Sequence, residues 1–142
     1  MNDVPCMSQT CDIEHGKIDS LLLCPRWDLW VFVDRGTAEH QNWGTETRDA
    51  LRRGNMPGYH LLNEANQDDI NIGLSVIDFH QVYTAPLELV RQFVASKESR
   101  LRLLPPYREH LAQAFARFFM RVGLPIDMAR EKIASPPRAS SS

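Results

Sequence analysis

The order of apolar and polar positions divides the chain into a β-rich first part and a helical second part. Val4 to Ile13 and Ile18 to Cys24 read as two short strands around the turn Glu14-His15-Gly16-Lys17. The second of these, Ile-Asp-Ser-Leu-Leu-Leu-Cys, has the length of a buried strand and stops at Pro25. Residues 26–34 fit two periods. Trp27, Trp30 and Val31 recur at helical spacing, while Leu29, Val31 and Val33 alternate as in a strand. Helix is the reading adopted here, with Asp28 in its first turn and an exposed loop over 34–44. Thr45 is expected to cap a short helix, Glu46 to Arg53, which Gly54 ends in the left-handed conformation. Tyr59 to Leu62 returns to strand, Asn63 to Asp69 reads as a polar loop, and Leu74 to Tyr83 as a long strand. Its inward parity changes at Val76-Ile77, which predicts a bulge.

From Ala85 the period becomes helical. Leu87, Val90, Phe93 and Val94 share a face behind Pro86. After Pro105-Pro106, the residues Leu111, Phe115, Phe118, Phe119 and Val122 form an apolar stripe, so Phe115 and Phe119 are expected to be buried. Gly123 and Pro125 stop that helix, a short one is expected over Ile126 to Ile133, and residues 135–142 read as a tail. The pattern predicts a single α+β domain over residues 1–134. In it a small, mostly antiparallel sheet or partial barrel is covered by two or three C-terminal helices.

Composition changes this picture little. The 142 residues are 43% hydrophobic and 24% charged, near globular averages. No apolar run approaches the roughly 20 residues of a membrane helix, and the first residues do not resemble a secretory signal. Three cysteines do not make a disulfide framework. A cytoplasmic setting without a membrane is the expectation. Charge is more informative. Residues 1–84 carry 6 Lys and Arg against 13 Asp and Glu, whereas residues 85–142 carry 10 against 5, within a net charge of −2. Attraction between the two halves inside one fold is the simplest account of this division.

Several short stretches are similar to those of a family of small, uncharacterised bacterial proteins. Ser8-Gln9-Thr10-Cys11-Asp12-Ile13 resembles its SQ-x-CD-I strand, and Val76-Ile77-Asp78-Phe79 its central strand. Pro105-Pro106-Tyr107-Arg108-Glu109 resembles the start of its long helix, and Arg121-Val122-Gly123-Leu124-Pro125 its RVGLP ending. The resemblance spans residues 7–125. It implies an accessory protein of systems near phage-defence or mobile-element genes, with no assigned activity.

Chemistry-bearing residues are few. A cysteine-dependent enzyme would use Cys11 with His60 or His80, one of them oriented by Asp78. Asp12 beside Cys11 opposes thiolate formation and no nucleophile-elbow glycines flank it, so a buried structural cysteine is the expectation. Cys6, Cys11, His15 and Cys24 supply enough ligands for tetrahedral zinc, but C-x4-C-x3-H-x8-C is not a knuckle spacing. Asp68 and Asp69 with Asn66 lack the glycine and terminal glutamate of a calcium loop. Neither a glycine-rich phosphate loop nor an H-E-x-x-H helix occurs. No cofactor is therefore expected. Arg117 and Arg121, one helical turn apart, would be the phosphate contacts of a nucleic-acid binder. The reading preferred from sequence is a non-enzymatic binding or accessory module acting through a protein partner.

Overall fold

The computed structural model describes residues 5–8, 13, 15–16, 18–40, 43–67, 70–97 and 99–120. Cys11, Arg121, the RVGLP segment, the helix expected over Ile126 to Ile133 and the tail lie outside them. Among the described residues the fold is α+β, with four helices and seven strands in three small antiparallel sheets that do not close into a barrel.

Strand β1 (Ser20–Leu23) pairs with β7 (Tyr83–Pro86), Leu21 opposite Ala85. Strands β2 (Arg26–Asp28) and β3 (Tyr59–Leu62) flank the central β6 (Ser75–Asp78). The polar segment expected to be a loop instead contributes β4 (Ala65–Gln67), hairpinned to β5 (Ile70–Ile72). Ala65, Ile70 and Ile72 are the half-buried apolar side chains of this pair.

Strand β6 is the hub. All four of its residues are buried. Successive side chains of a strand point to opposite faces, so Val76 and Ile77 enter two different cores. Val76 joins Leu29, Phe32, Val33 and Leu51 beneath helices α1 (Leu29–His40) and α2 (Thr45–Arg52). Ile77 joins Cys24, Phe79 and Leu111 beneath helix α4 (Tyr107–Met120). The parity change that suggested a bulge has this cause: the strand is covered on both faces and turns after Asp78. The buried polar group at its start is satisfied, because the Ser75 hydroxyl donates to the Gly73 carbonyl (2.7 Å) and accepts from Arg26 (2.8 Å).

Residues 26–34 divide between both readings. Arg26–Asp28 is strand, and the Asp28 carboxylate then caps α1, accepting the Trp30 and Val31 N–H groups at 2.9 and 3.4 Å. The helix runs on through 34–40, where an exposed loop was expected. Thr45 does not cap α2. It is the first helical residue, after Gly44, which makes no side-chain cap bond. The other end matches expectation: Gly54 has φ +69, its N–H donates to the Leu51 carbonyl, and that of Asn55 donates to Ala50.

Helix α3 (Leu87–Ala95) buries Leu87, while Phe93, expected on the inner face, is exposed. On α4 Leu111 is buried and Phe115 and Phe118 are half-buried. Phe119 is 46% exposed, which corrects the expectation that it is buried. The stripe spans a wider arc than the single cluster beneath it can cover, and Phe119 falls at its uncovered edge. The attraction expected between the halves is not made through ion pairs among the described residues. Arg35–Glu39, Arg52 and Arg53 with Asp49, and Arg108–Glu109 are all local in sequence.

Candidate functional site

Among the described residues, the end of β6 carries the one constellation that sequence reasoning had singled out and the structure assembles. Asp78 and His80 are two residues apart. A turn after the strand brings them together, held by the Asp78 N–H on the Pro25 carbonyl and the Phe79 N–H on that of Gly58 (3.2 and 2.9 Å). Asp78 Oδ1 accepts both the His80 backbone N–H (2.9 Å) and lies 2.8 Å from His80 Nδ1. The carboxylate is buried at 8% exposure, and the imidazole is half exposed. In the neutral tautomer whose Nδ1–H donates to Asp78, Nε2 is the ring's acceptor.

The ring is wedged between aromatic neighbours, with Tyr59 and Phe118 centroids 4.9 and 5.0 Å away. Its Cε1, with the two ring nitrogens, closes on Gly58, where a Cβ would overlap the ring. Gly58 is thus a close-approach glycine. Around His80, Met56, Pro57, Tyr59, Phe118 and Phe119 line an open groove of about 600 Å³. Phe119 packs edge-on against Phe118 at 5.1 Å and carries the aromatic wall to the surface. Burial, then the charges of Asp78 and Glu39, push the Tyr59 hydroxyl up from its ordinary range.

His60 is not part of this corner. Its register places it opposite Ile77, on the other face of β3, stacked on Phe79 at 6.5 Å. Burial, with the nearby His110 charge, lowers its pKa. Cys11, the nucleophile that was considered, lies outside the described residues. Cys24 is wholly buried and its thiol is pushed up to about 11, first by burial and then by the Asp78 charge. That is the opposite of an activated thiol.

Native labelling with a bulky maleimide should therefore modify exposed Cys6 and leave Cys24 unmodified until the protein unfolds, as read by mass spectrometry. Because folding raises the Cys24 pKa, the neutral thiol's contribution to stability is complete below the ordinary value of 9.0. It is lost as pH rises towards about 11. Labelling of Cys24 as fast as Cys6 would contradict this placement.

Of the zinc candidates, Cys6 is exposed beside Leu23, His15 sits in an exposed turn, and Cys24 is in the α4 core. Among the described residues no three His, Cys, Asp or Glu side chains converge as a metal site. Arg117 is exposed on α4, and its expected partner Arg121 lies outside the described residues. A shallow depression of about 670 Å³ follows α2 between Arg48, Arg52 and Arg53. Asp49 pairs with Arg52 and Arg53, at 2.8 and 2.6 Å, while Arg48 donates to the Thr45 hydroxyl and lies over the Trp30 ring. Among the described residues no helix is long and apolar enough to cross a membrane.

Sequence reasoning missed Gly58, Met56 and the role of Phe118, which it assigned to the core alone. The Pro57-Gly58 pair ahead of a strand was the available signal for a close backbone approach. No protein-family model matches the chain, and comparison with curated proteins and with solved structures finds no match.

Proposed function

We propose that the chain is a protein-binding module that seats a segment of a partner in the groove beside His80. The observation that carries this reading is the wall of Met56, Tyr59, Phe118 and Phe119, which continues from the buried α4 core out to a 46% exposed Phe119. Aromatic and methionine side chains flanking a few polar groups are the composition of interface cores. The setting suggested by the sequence resemblance, a bacterial cytoplasmic system near phage-defence or mobile-element genes, belongs to the same proposal.

A photo-crosslinking residue at position 119 tests it in native cells. The expected result is one defined protein adduct, lost with Phe118→Ala and absent when the label sits at exposed Leu89 on α3. Equal labelling from positions 119 and 89 overturns the reading.

A second reading, acid–base chemistry at His80, draws support from the 2.8 Å contact with buried Asp78. A carboxylate that fixes the imidazole tautomer is what a general base requires. Among the described residues no cysteine faces it, so a nucleophile would come from Cys11 or from the substrate.

A further inference from the structure

The groove is apolar in its walls but not neutral in its field. Asp78 lies directly behind His80, and among the described residues His80 is the only group within ion-pairing distance of it. A neutral imidazole leaves that carboxylate charge uncompensated. No arginine or lysine is among the described residues lining the groove. At its wall the Tyr59 hydroxyl is pushed up first by burial and then by the negative charges of Asp78 and Glu39. Aromatic rings add to the negative field, since ring faces attract cations. In the neutral tautomer whose Nδ1–H donates to Asp78, His80 adds Nε2 as an acceptor at the same place.

We propose, building on the partner-binding reading, that the groove receives an arginine side chain of the partner protein. The guanidinium would lie on the Phe118–Phe119 wall and donate an N–H to His80 Nε2. Arginine fits better than lysine. Its planar group stacks on rings, is weakly hydrated, and keeps donors in its plane for the imidazole while its face covers the aromatic surface. A purely aliphatic side chain would fill the groove and leave Nε2 without a donor, at the cost of desolvating it. The charge complementarity is with a cation, supplied by a protein segment.

The test uses isotope-labelled full-length chain and two probes, acetyl-Ala-Arg-Ala-amide and the same peptide with citrulline. Citrulline keeps the planar urea and its donors but lacks the charge. The arginine peptide is expected to shift the His80, Phe118 and Phe119 resonances and to bind about three- to tenfold more tightly than the citrulline peptide. Asp78→Asn should erase that preference. Should that variant fail to fold, Phe119→Leu on the exposed edge should weaken the arginine peptide about two- to threefold with the protein still folded. Equal affinity for the two peptides overturns the inference, as does the absence of shifts at the groove up to about 20 mM peptide. Either result leaves the partner-binding reading standing if the position-119 adduct still forms. Loss of that adduct alone sinks the partner reading instead.

Discussion

Phe79→Ala is expected to remove most of the protein's stability. Phe79 is 1% exposed and stands at the turn where β6 ends, with Asp78 and His80 on either side of it in sequence. Its ring meets Phe115 edge-on at 5.5 Å, Phe118 at 6.0 Å and His60 in a parallel stack at 6.5 Å. It is therefore the side chain through which α4 is fastened to the central strand. Truncating a buried phenylalanine costs about 3–5 kcal/mol, against a total of about 5–15 kcal/mol for a domain. A fall in melting temperature of about 10–20 °C follows. Thermal unfolding followed by far-UV circular dichroism measures it, and a melt within about 3 °C of the parent would show that α4 is anchored some other way. Phe118→Ala is the informative control. Phe118 is half-buried, so the variant should lose less stability while still opening the groove.

The same two aromatics show how far the sequence reaches. The spacing of Leu111, Phe115 and Phe118 identified α4 and most of its inner face, because a helix buries a stripe wherever it docks. Which edge of the stripe stays uncovered depends on the width of the surface beneath, and no local pattern encodes that. Phe119 is exposed for this reason. Strand β6 was legible as a strand, and its mixed parity was a true signal given the wrong cause. An apolar residue on each face means two cores, and only the positions of α1 and α4 reveal the second. At residues 26–34 both periods were present because both structures are. Asp28 marks the boundary, pairing with Ser75 as the last residue of β2 and capping α1 with its carboxylate. The hairpin β4–β5 offered only the short alternation Ile70-Asn71-Ile72, too brief beside the polar Asn63 to Asp69 stretch to mark two strands.

The candidate site was legible in part. Asp78 and His80 share strand parity, so a side-by-side placement was within reach of the sequence. The choice of His80 over His60 was not, because it depends on the register that sets His60 opposite Ile77. The groove itself is assembled from three distant stretches, residues 55–59 between α2 and β3, His80 after β6, and the last turn of α4. Their meeting is a tertiary fact. The charge division likewise suggested contacts between the halves, yet the ion pairs of Arg35, Arg52, Arg53 and Arg108 are to acids no more than four residues away. Local pairs form at almost no loop-closure cost, so they compete well with long-range ones.

Gly36→Ala is expected to destabilise the protein, although intrinsic propensity argues the other way. Gly36 lies in α1, and alanine inside a helix is favoured over glycine by about 1 kcal/mol. Opposing this, Gly36 is buried and a Cβ there would overlap the indole of Trp43. The indole has little room to withdraw. It packs on Phe32 at 4.9 Å and on Tyr59 at 6.1 Å, and the Thr37 hydroxyl donates to the Trp43 carbonyl at 2.6 Å. Overfilling such a contact costs about 1–3 kcal/mol. The net loss should therefore be about 0–2 kcal/mol from this balance, and nearer its upper end because the ring is confined on two sides. Urea denaturation of Gly36→Ala, Trp43→Ala and the double variant separates the terms. Removing the indole abolishes the overlap, so the glycine substitution should become neutral or stabilising in the Trp43→Ala background. The ring also touches Tyr59, so Gly36→Ala should perturb the Tyr59 and His80 resonances from a distance along the chain. A variant more stable than the parent, with those resonances unmoved, would mean that Trp43 does not press on α1.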